Sequence, residues 1–239
     1  MSDEHPQATV AEEEYLQSLF WLQEAGLPMT GANVARAMQL SAPTVHEMIG
    51  RLERDGYVTR GADRAIAFTD SGAAHAEGIV RRHRLIERFL TDVLGIPWDE
   101  VHEEAERLEH AMSPVLEERM LAAIGDAKTC PHGHPIVAGA RVAGVPLADV
   151  EVGASVSVLR FENEAEDLLR YLKESGLEPG MRATVSGRDH DAVTLSAEGG
   201  ASIGVTMSVA ETVSVIADPS PAPRTALPER LILGQRYGR

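Results

Sequence analysis

Between Gly26 and Thr69 the chain has little freedom in how it can fold, because helical patterns follow one another with turns too short to part them. A first amphipathic pattern, residues 9 to 25, sets Tyr15, Leu16, Leu19, Phe20 and Leu22 largely on one face, and Gly26-Leu27-Pro28 ends it. Thr30 to Leu40 and Ala42 to Asp55 are predicted as two more helices, divided only by Leu40-Ser41. Ser41 is a natural N-cap, and Pro43 suits the first turn of the helix it opens. Past Asp55-Gly56, Tyr57 to Thr69 alternates loosely around Gly61-Ala62-Asp63, which predicts a two-stranded hairpin. Helix, helix, turn, helix, hairpin is the order of a winged helix-turn-helix. Residues 31 to 70 hold five arginines against five acids, in a chain of net charge -15. Bulk attraction to DNA is therefore expected to be weak, and cations are drawn elsewhere.

Downstream, a long helical pattern runs from Ser71 to about Leu94 and breaks at Gly95-Ile96-Pro97. Trp98-Asp99 opens another, to about Met112, and Ser113-Pro114 a third, to about Ile124. Residues 125 to 149 are rich in Gly, Pro and His and read as a linker with little regular structure. Short strands are expected over Val150 to Phe161 and near 181 to 187, 192 to 197, 201 to 207 and 213 to 217, with one helix near 164 to 174. From Asp218 onward the prolines predict a mobile tail. The expected class is mainly α with a small β domain, divided as 1–72, 73–126, a linker 127–149, 150–217 and a tail 218–239. No stretch supplies the roughly 20 apolar residues of a membrane span. The lone Cys130 excludes an intramolecular disulfide and a four-cysteine zinc site, which fits a reducing cytoplasm.

Chemistry concentrates in VHEEAERLEHA, residues 101 to 111. His102, Glu106, Glu109 and His110 stand at i, i+4, i+7 and i+8, within an arc of roughly 100° on a helix. His83 and Glu87 share a face of the preceding helix. A solvated face is the plain alternative, but it predicts Lys or Arg interleaved at i+4, and the only base between His102 and His110 is Arg107, on another face. Crowded carboxylates repel, and a divalent cation relieves that repulsion. Carboxylate with imidazole suits Mn(II), Fe(II), Co(II) or Zn(II), oxygen-rich sites leaning toward Mn(II).

Residues 81 to 113, RRHRLIERFLTDVLGIPWDEVHEEAERLEHAMS, closely resemble the metal-binding and dimerisation helices of the diphtheria toxin repressor family, which includes iron- and manganese-dependent regulators. AEEEYLQSLFWL at 11 to 22 is similar to that family's first helix, SAPTVHEMIGRLERDGYV at 41 to 58 to its recognition helix and wing entry, and GLEPG at 176 to 180 to a turn of its SH3-like (FeoA-like) domain. The resemblance implies a homodimer that binds an operator duplex when a divalent metal is present, and no enzymatic activity. It places Glu14, Glu106, Glu109 and His110 at one metal site and His83, Glu87 and His102 at a neighbouring one. Gln17 falls where manganese regulators carry a second first-helix carboxylate, and Glu164 and Asp167 fall near positions from which the SH3-like domain lends ligands. Iron-type members have cysteine and methionine where Glu106 and Glu14 stand here. Carboxylates in both places liken the chain to the manganese regulators, with Mn(II) as the implied corepressor and Fe(II) the alternative.

Metal shared between Glu14 and the later helix ties the DNA-binding unit to the helical unit and selects one orientation from many. Dimers of this kind bind near-palindromic sites. Ser41, Thr44 and His46 are candidates for phosphates or base edges, and Pro43 for a thymine methyl. Arg51, Arg60 and Arg64 are the expected phosphate clamps, with Glu47 pairing to Arg51 at i+4. Cys130-Pro131-His132-Gly133-His134 reads first as an ordered turn. Two rivals remain open: a metalloenzyme, against which stands the absence of HExxH, serine-elbow and phosphate-loop motifs, and a winged-helix regulator of another ligand.

Overall fold

The computed structural model describes residues 8–61, 65–137 and 142–218. Helix α1 (Val10–Glu24) starts at a capping box: Thr9 caps the helix, and the Glu12 carboxylate returns to the Thr9 backbone N–H at 2.7 Å. Helices α2 (Gly31–Ala37) and α3 (Ala42–Arg54) are each capped by the residue before them, Thr30 and Ser41. Strands β1 (Val58–Arg60) and β2 (Ile66–Phe68) pair antiparallel, with Thr59 opposite Ala67, to form the wing. Leu16, Leu19, Val34, Val45, Ile49, Leu52 and Ile66 build its aliphatic core.

Helix α4 (Asp70–Asp92) starts tight against the wing, where a Cβ at Gly72 would stand 1.8 Å from the Tyr57 carbonyl oxygen. Its 23 residues reach about 35 Å and serve two cores. Ala76 and Ile79 complete the winged core, whereas Leu85, Ile86 and Leu90 join Val101, Ala105 and Met120 of α5 (Val101–Glu109) and α6 (Pro114–Ala123). His83 and Glu87 sit at the seam between these two cores.

The third unit is one antiparallel sheet, β3-β8-β4-β5-β6-β7, from β3 (Val145–Pro146), β4 (Ser155–Phe161), β5 (Arg182–Arg188), β6 (Ala192–Ala197), β7 (Ser202–Thr206) and β8 (Val213–Asp218). Helix α7 (Glu166–Glu174) inserts Leu168, Leu169 and Leu172 into its core, and α8 (Met207–Ala210) joins β7 to β8.

Two expectations need correction. Helix α5 begins at Val101, after a turn over 98 to 100, not directly at Trp98. The segment expected to be a loose linker is largely interior: Cys130 and His132 have no exposed surface, and a β-bridge joins Thr129 to Pro135. Gly133, at φ +94°, lets this turn lie against β4, since a Cβ there would stand 2.1 Å from the Leu159 carbonyl oxygen. Pro and Gly marked a turn correctly, but composition does not say whether a turn is buried. The tail 219–239 lies outside the described residues.

Candidate metal centre

Four elements converge between the helical unit and the sheet domain. On α4, His83 and Glu87 share a face, with Nε2 to Oε1 at 3.0 Å. His102 of α5 reaches Glu87 Oε1 at 3.1 Å, and its Nδ1 lies 3.1 Å from Glu164 Oε2, just before α7. His132, from the buried turn, places Nδ1 3.2 Å from Glu87 Oε1 and 3.6 Å from Glu164 Oε1. Ligand atoms of His83, Glu87, His102 and Glu164 lie within 4.8 Å of one another, and so do those of Glu87, Cys130, His132 and Glu164. The two groups share both carboxylates.

Its electrostatics are those of a cluster held by protons. Burial opposes the charge on His83, but Glu87 and Glu109 outweigh it and raise the pKa to about 9. Burial likewise opposes charge on His102 and His132, and carboxylate partners carry both well above the ordinary value. Burial raises Glu87, yet His132 and His83 bring it well below the usual range; burial and Glu87 raise Glu164, yet His132, His102 and His134 hold it at about 2. Burial pushes the Cys130 thiol up to about 11. A cation entering here displaces those protons.

A divalent cation fits these donors. His132 Nε2 stands 2.7 Å from the Trp98 carbonyl oxygen, which makes Nε2 the donor and turns the Nδ1 lone pair toward Glu87 and Glu164 in the neutral ring. Glu87 Oε2 is buried without a hydrogen bond, while His132 Nδ1 meets Glu87 Oε1 at 3.2 Å and Glu164 Oε1 at 3.6 Å. Unpaired buried polar atoms are costly, and metal coordination removes that cost.

The other predicted set is open. Glu109 is buried, its Oε2 taken by His83 Nδ1 at 2.7 Å and by the Gln17 amide at 3.2 Å, while its Oε1 lies 3.3 Å from His110 Nε2 without forming a hydrogen bond. Half-buried His110 is held by Glu13 at 2.7 Å, and Glu13 also meets His75 at 3.1 Å. Glu14 and Glu106 are exposed, and line the same cleft of about 1000 Å³ as Glu109 and His110. Glu14, Glu106, Glu109 and His110 are not among the groups of described residues whose ligand atoms come within 4.8 Å of one another. Asp167 lies outside both closed groups, 56% exposed and 4.0 Å from Arg170.

Sequence reasoning missed Glu13, one position from Glu14 within an acidic run, and read His132 and Cys130 first as an ordered turn, with metal binding there the lesser alternative. HxH in a buried turn was the available signal. His134, beside His132, stands with Nε2 2.7 Å from the Phe161 carbonyl oxygen.

On the winged unit, Ser41, Pro43, Thr44 and His46 are exposed in a row at the start of α3. Arg51 does not pair with Glu47 as expected; its Nε meets Glu12 at 2.7 Å and Asp55 at 3.8 Å. Arg60 is likewise engaged, donating to Glu53 at 2.8 Å. Two expected phosphate clamps are thus tied to acids in this arrangement, and Arg64 lies outside the described residues.

Comparison with known proteins agrees along the chain. Residues 8–66 match the iron dependent repressor N-terminal DNA binding domain, 69–138 the iron dependent repressor metal binding and dimerisation domain, and 145–217 the FeoA domain. The iron-dependent repressor IdeR of Mycobacterium tuberculosis is 34% identical over 219 residues, covering 85% of this chain and 95% of that protein. The diphtheria toxin repressor of Corynebacterium diphtheriae is 39% identical over 140 residues, 59% of this chain and 62% of that one. Among solved structures, a manganese-dependent transcriptional repressor in complex with manganese superposes with a TM-score of 0.78 at 32% identity, covering 86% of this chain and 99% of its own. ScaR with bound Zn2+ gives 0.71 at 30% identity, covering 86% and 98%. None of the described helices is long and apolar enough to cross a membrane. The chain belongs to the diphtheria toxin repressor family of metal-dependent transcriptional repressors.

Proposed function

We propose that this chain is a cytoplasmic, manganese-responsive repressor of metal-homeostasis genes, binding palindromic operators as a homodimer with Mn(II) as corepressor. The observation that carries this reading is the contrast between a closed cluster and an open one. The buried set around Glu87 and Glu164 already holds its donors at contact distance, and fills first. The open set, Glu14 from the DNA-binding unit with Glu106, Glu109 and His110 from α5, is drawn together by the second cation. Closing it fixes α1 against α5 and sets the recognition helix α3 for the major groove.

Donor chemistry supports the metal. The open set offers only carboxylate and imidazole, which favours Mn(II) by geometry, while Cys130 gives the buried set a softer donor. Leu94 (61% exposed) and Val115 (67%), with Val93 and Leu116, are exposed apolar side chains within the segment that matches the metal binding and dimerisation domain, and suit contacts with a second copy of the chain. Ser41, Pro43, Thr44 and His46 read the duplex in this proposal, and Arg51, Arg60 and Arg64 reach phosphates on release from their acidic partners.

Operator binding titrated anaerobically with Mn(II), Fe(II), Co(II) and Zn(II), in wild type and Glu106→Cys, tests it. Wild type is expected to respond to Mn(II), and the thiolate to move preference toward Fe(II) or Zn(II). An unchanged metal order contradicts the assignment by ligand type.

A further inference from the structure

One face of α1 addresses the whole metal centre. Glu14, Gln17, Trp21 and Glu24 fall within an arc of roughly 80°, and all four line the cleft. Glu14 serves the open set and Gln17 holds Glu109, but Trp21 reaches the closed one. Its indole stands edge-on to the His83 ring, centroids 5.8 Å apart at 77°, and 6.1 Å from the His102 ring. Trp21 is half-buried and stands outside the aliphatic cluster formed by Leu16, Leu19 and Leu22, so packing of the winged core does not account for its place.

We propose that Trp21 couples the two metal sites, as a positioning residue through which occupation of the buried cluster places Glu14 over Glu106, Glu109 and His110. His83 Nε2 and His102 Nδ1 lie 3.1 Å apart, both within reach of Glu87 Oε1, a placement that changes when these nitrogens turn to a cation. An indole packed edge-on follows the imidazole rings, because aromatic contacts are orientation-dependent. Trp21 lies about 10 Å along the helix from Glu14, and a rigid helix carries the shift over that span. Such coupling is reciprocal, so closing the open site also tightens the buried one.

This inference rests on the reading that both clusters take a divalent cation, and the test separates the two. Mn(II) binding is followed by loss of the free-ion EPR signal in wild type, Trp21→Leu and Trp21→Phe, with metal-free thermal unfolding beside it. In Trp21→Leu the first equivalent should bind as in wild type, while the second weakens by about tenfold and the operator-binding midpoint moves by the same factor. Trp21→Phe, which keeps a ring edge, should restore most of the difference. The chain has two tryptophans, so in Trp98→Phe the fluorescence of Trp21 alone should change with the first equivalent. Unchanged binding of both equivalents in Trp21→Leu overturns the proposal, and so does a weakened first equivalent or a lowered metal-free melting point, which marks a packing role. A wild type that takes up fewer than two Mn(II) per chain overturns the two-site reading itself, before any variant is compared.

Discussion

The two clusters draw on the same side-chain types yet differ in what holds them. Around Glu87 the donors come from α4, α5, the 130–134 turn and the approach to α7, all packed by interior cores, and burial holds them at contact distance. Around Glu106 they come from α5 and from α1, which belongs to the winged core, and two of them face solvent. A site whose supports are all held by buried packing at contact distance is preformed and stabilises. A site divided between two bodies does not close without its ligand, and can therefore switch.

Glu109→Ala breaks the comparison hardest, because Glu109 is buried between the clusters and bonded to both His83 and Gln17, whereas the other bridging contact, Glu106 to His102 at 3.5 Å, is half exposed. Metal-stimulated operator affinity should fall on the order of a hundredfold, read by fluorescence anisotropy at saturating Mn(II). Glu13→Gln loosens His110 without removing a ligand. Outer-shell losses of this kind weaken metal binding by about tenfold or more, here confined to the second Mn(II) equivalent in an EPR titration; an equal loss at both would erase the distinction between the sites.

Gly133→Ala attacks the closed cluster through the backbone. The Cβ meets the Leu159 carbonyl oxygen and the residue is left at positive φ, so stability should fall by about 1–3 kcal/mol, measured by thermal unfolding with chelator present. Uptake of the first equivalent should weaken as well, because His132 moves with the turn. Cys130→Ser sharpens the comparison by donor softness. Mn(II) binding should change little, whereas the thiolate-to-metal absorption of the Co(II) form should disappear. If the wild-type Co(II) form shows no such absorption, Cys130, the chain's single cysteine, is not a ligand.

Helices were legible because apolar periodicity and caps are local: Thr9 with Glu12, Ser41 with Pro43, and Ser113 with Pro114 mark three helix starts directly. The i, i+4 logic also found His83 with Glu87 and His102 with Glu106, since one helix carries each pair. It failed where partners are far apart in sequence. Along α3 the i, i+4 pattern pairs Arg51 with Glu47, but its partner Glu12 lies 39 positions earlier, in α1. His132 and Cys130 carry no periodic signal, and the Pro and Gly around them suggest exposure; they are buried because Gly133 admits close approach to β4. Glu13 was hidden beside Glu14, with two adjacent carboxylates serving different ends, one holding His110 and the other facing the cleft.

A single titration addresses the division of labour between the clusters: Mn(II) uptake by EPR and operator binding by anisotropy, recorded on the same wild-type sample at each addition. Operator binding should stay near its metal-free level through the first equivalent per chain and rise with the second. A rise that follows the first equivalent, or binding that chelator leaves intact, contradicts an open, two-body switch beside a preformed site.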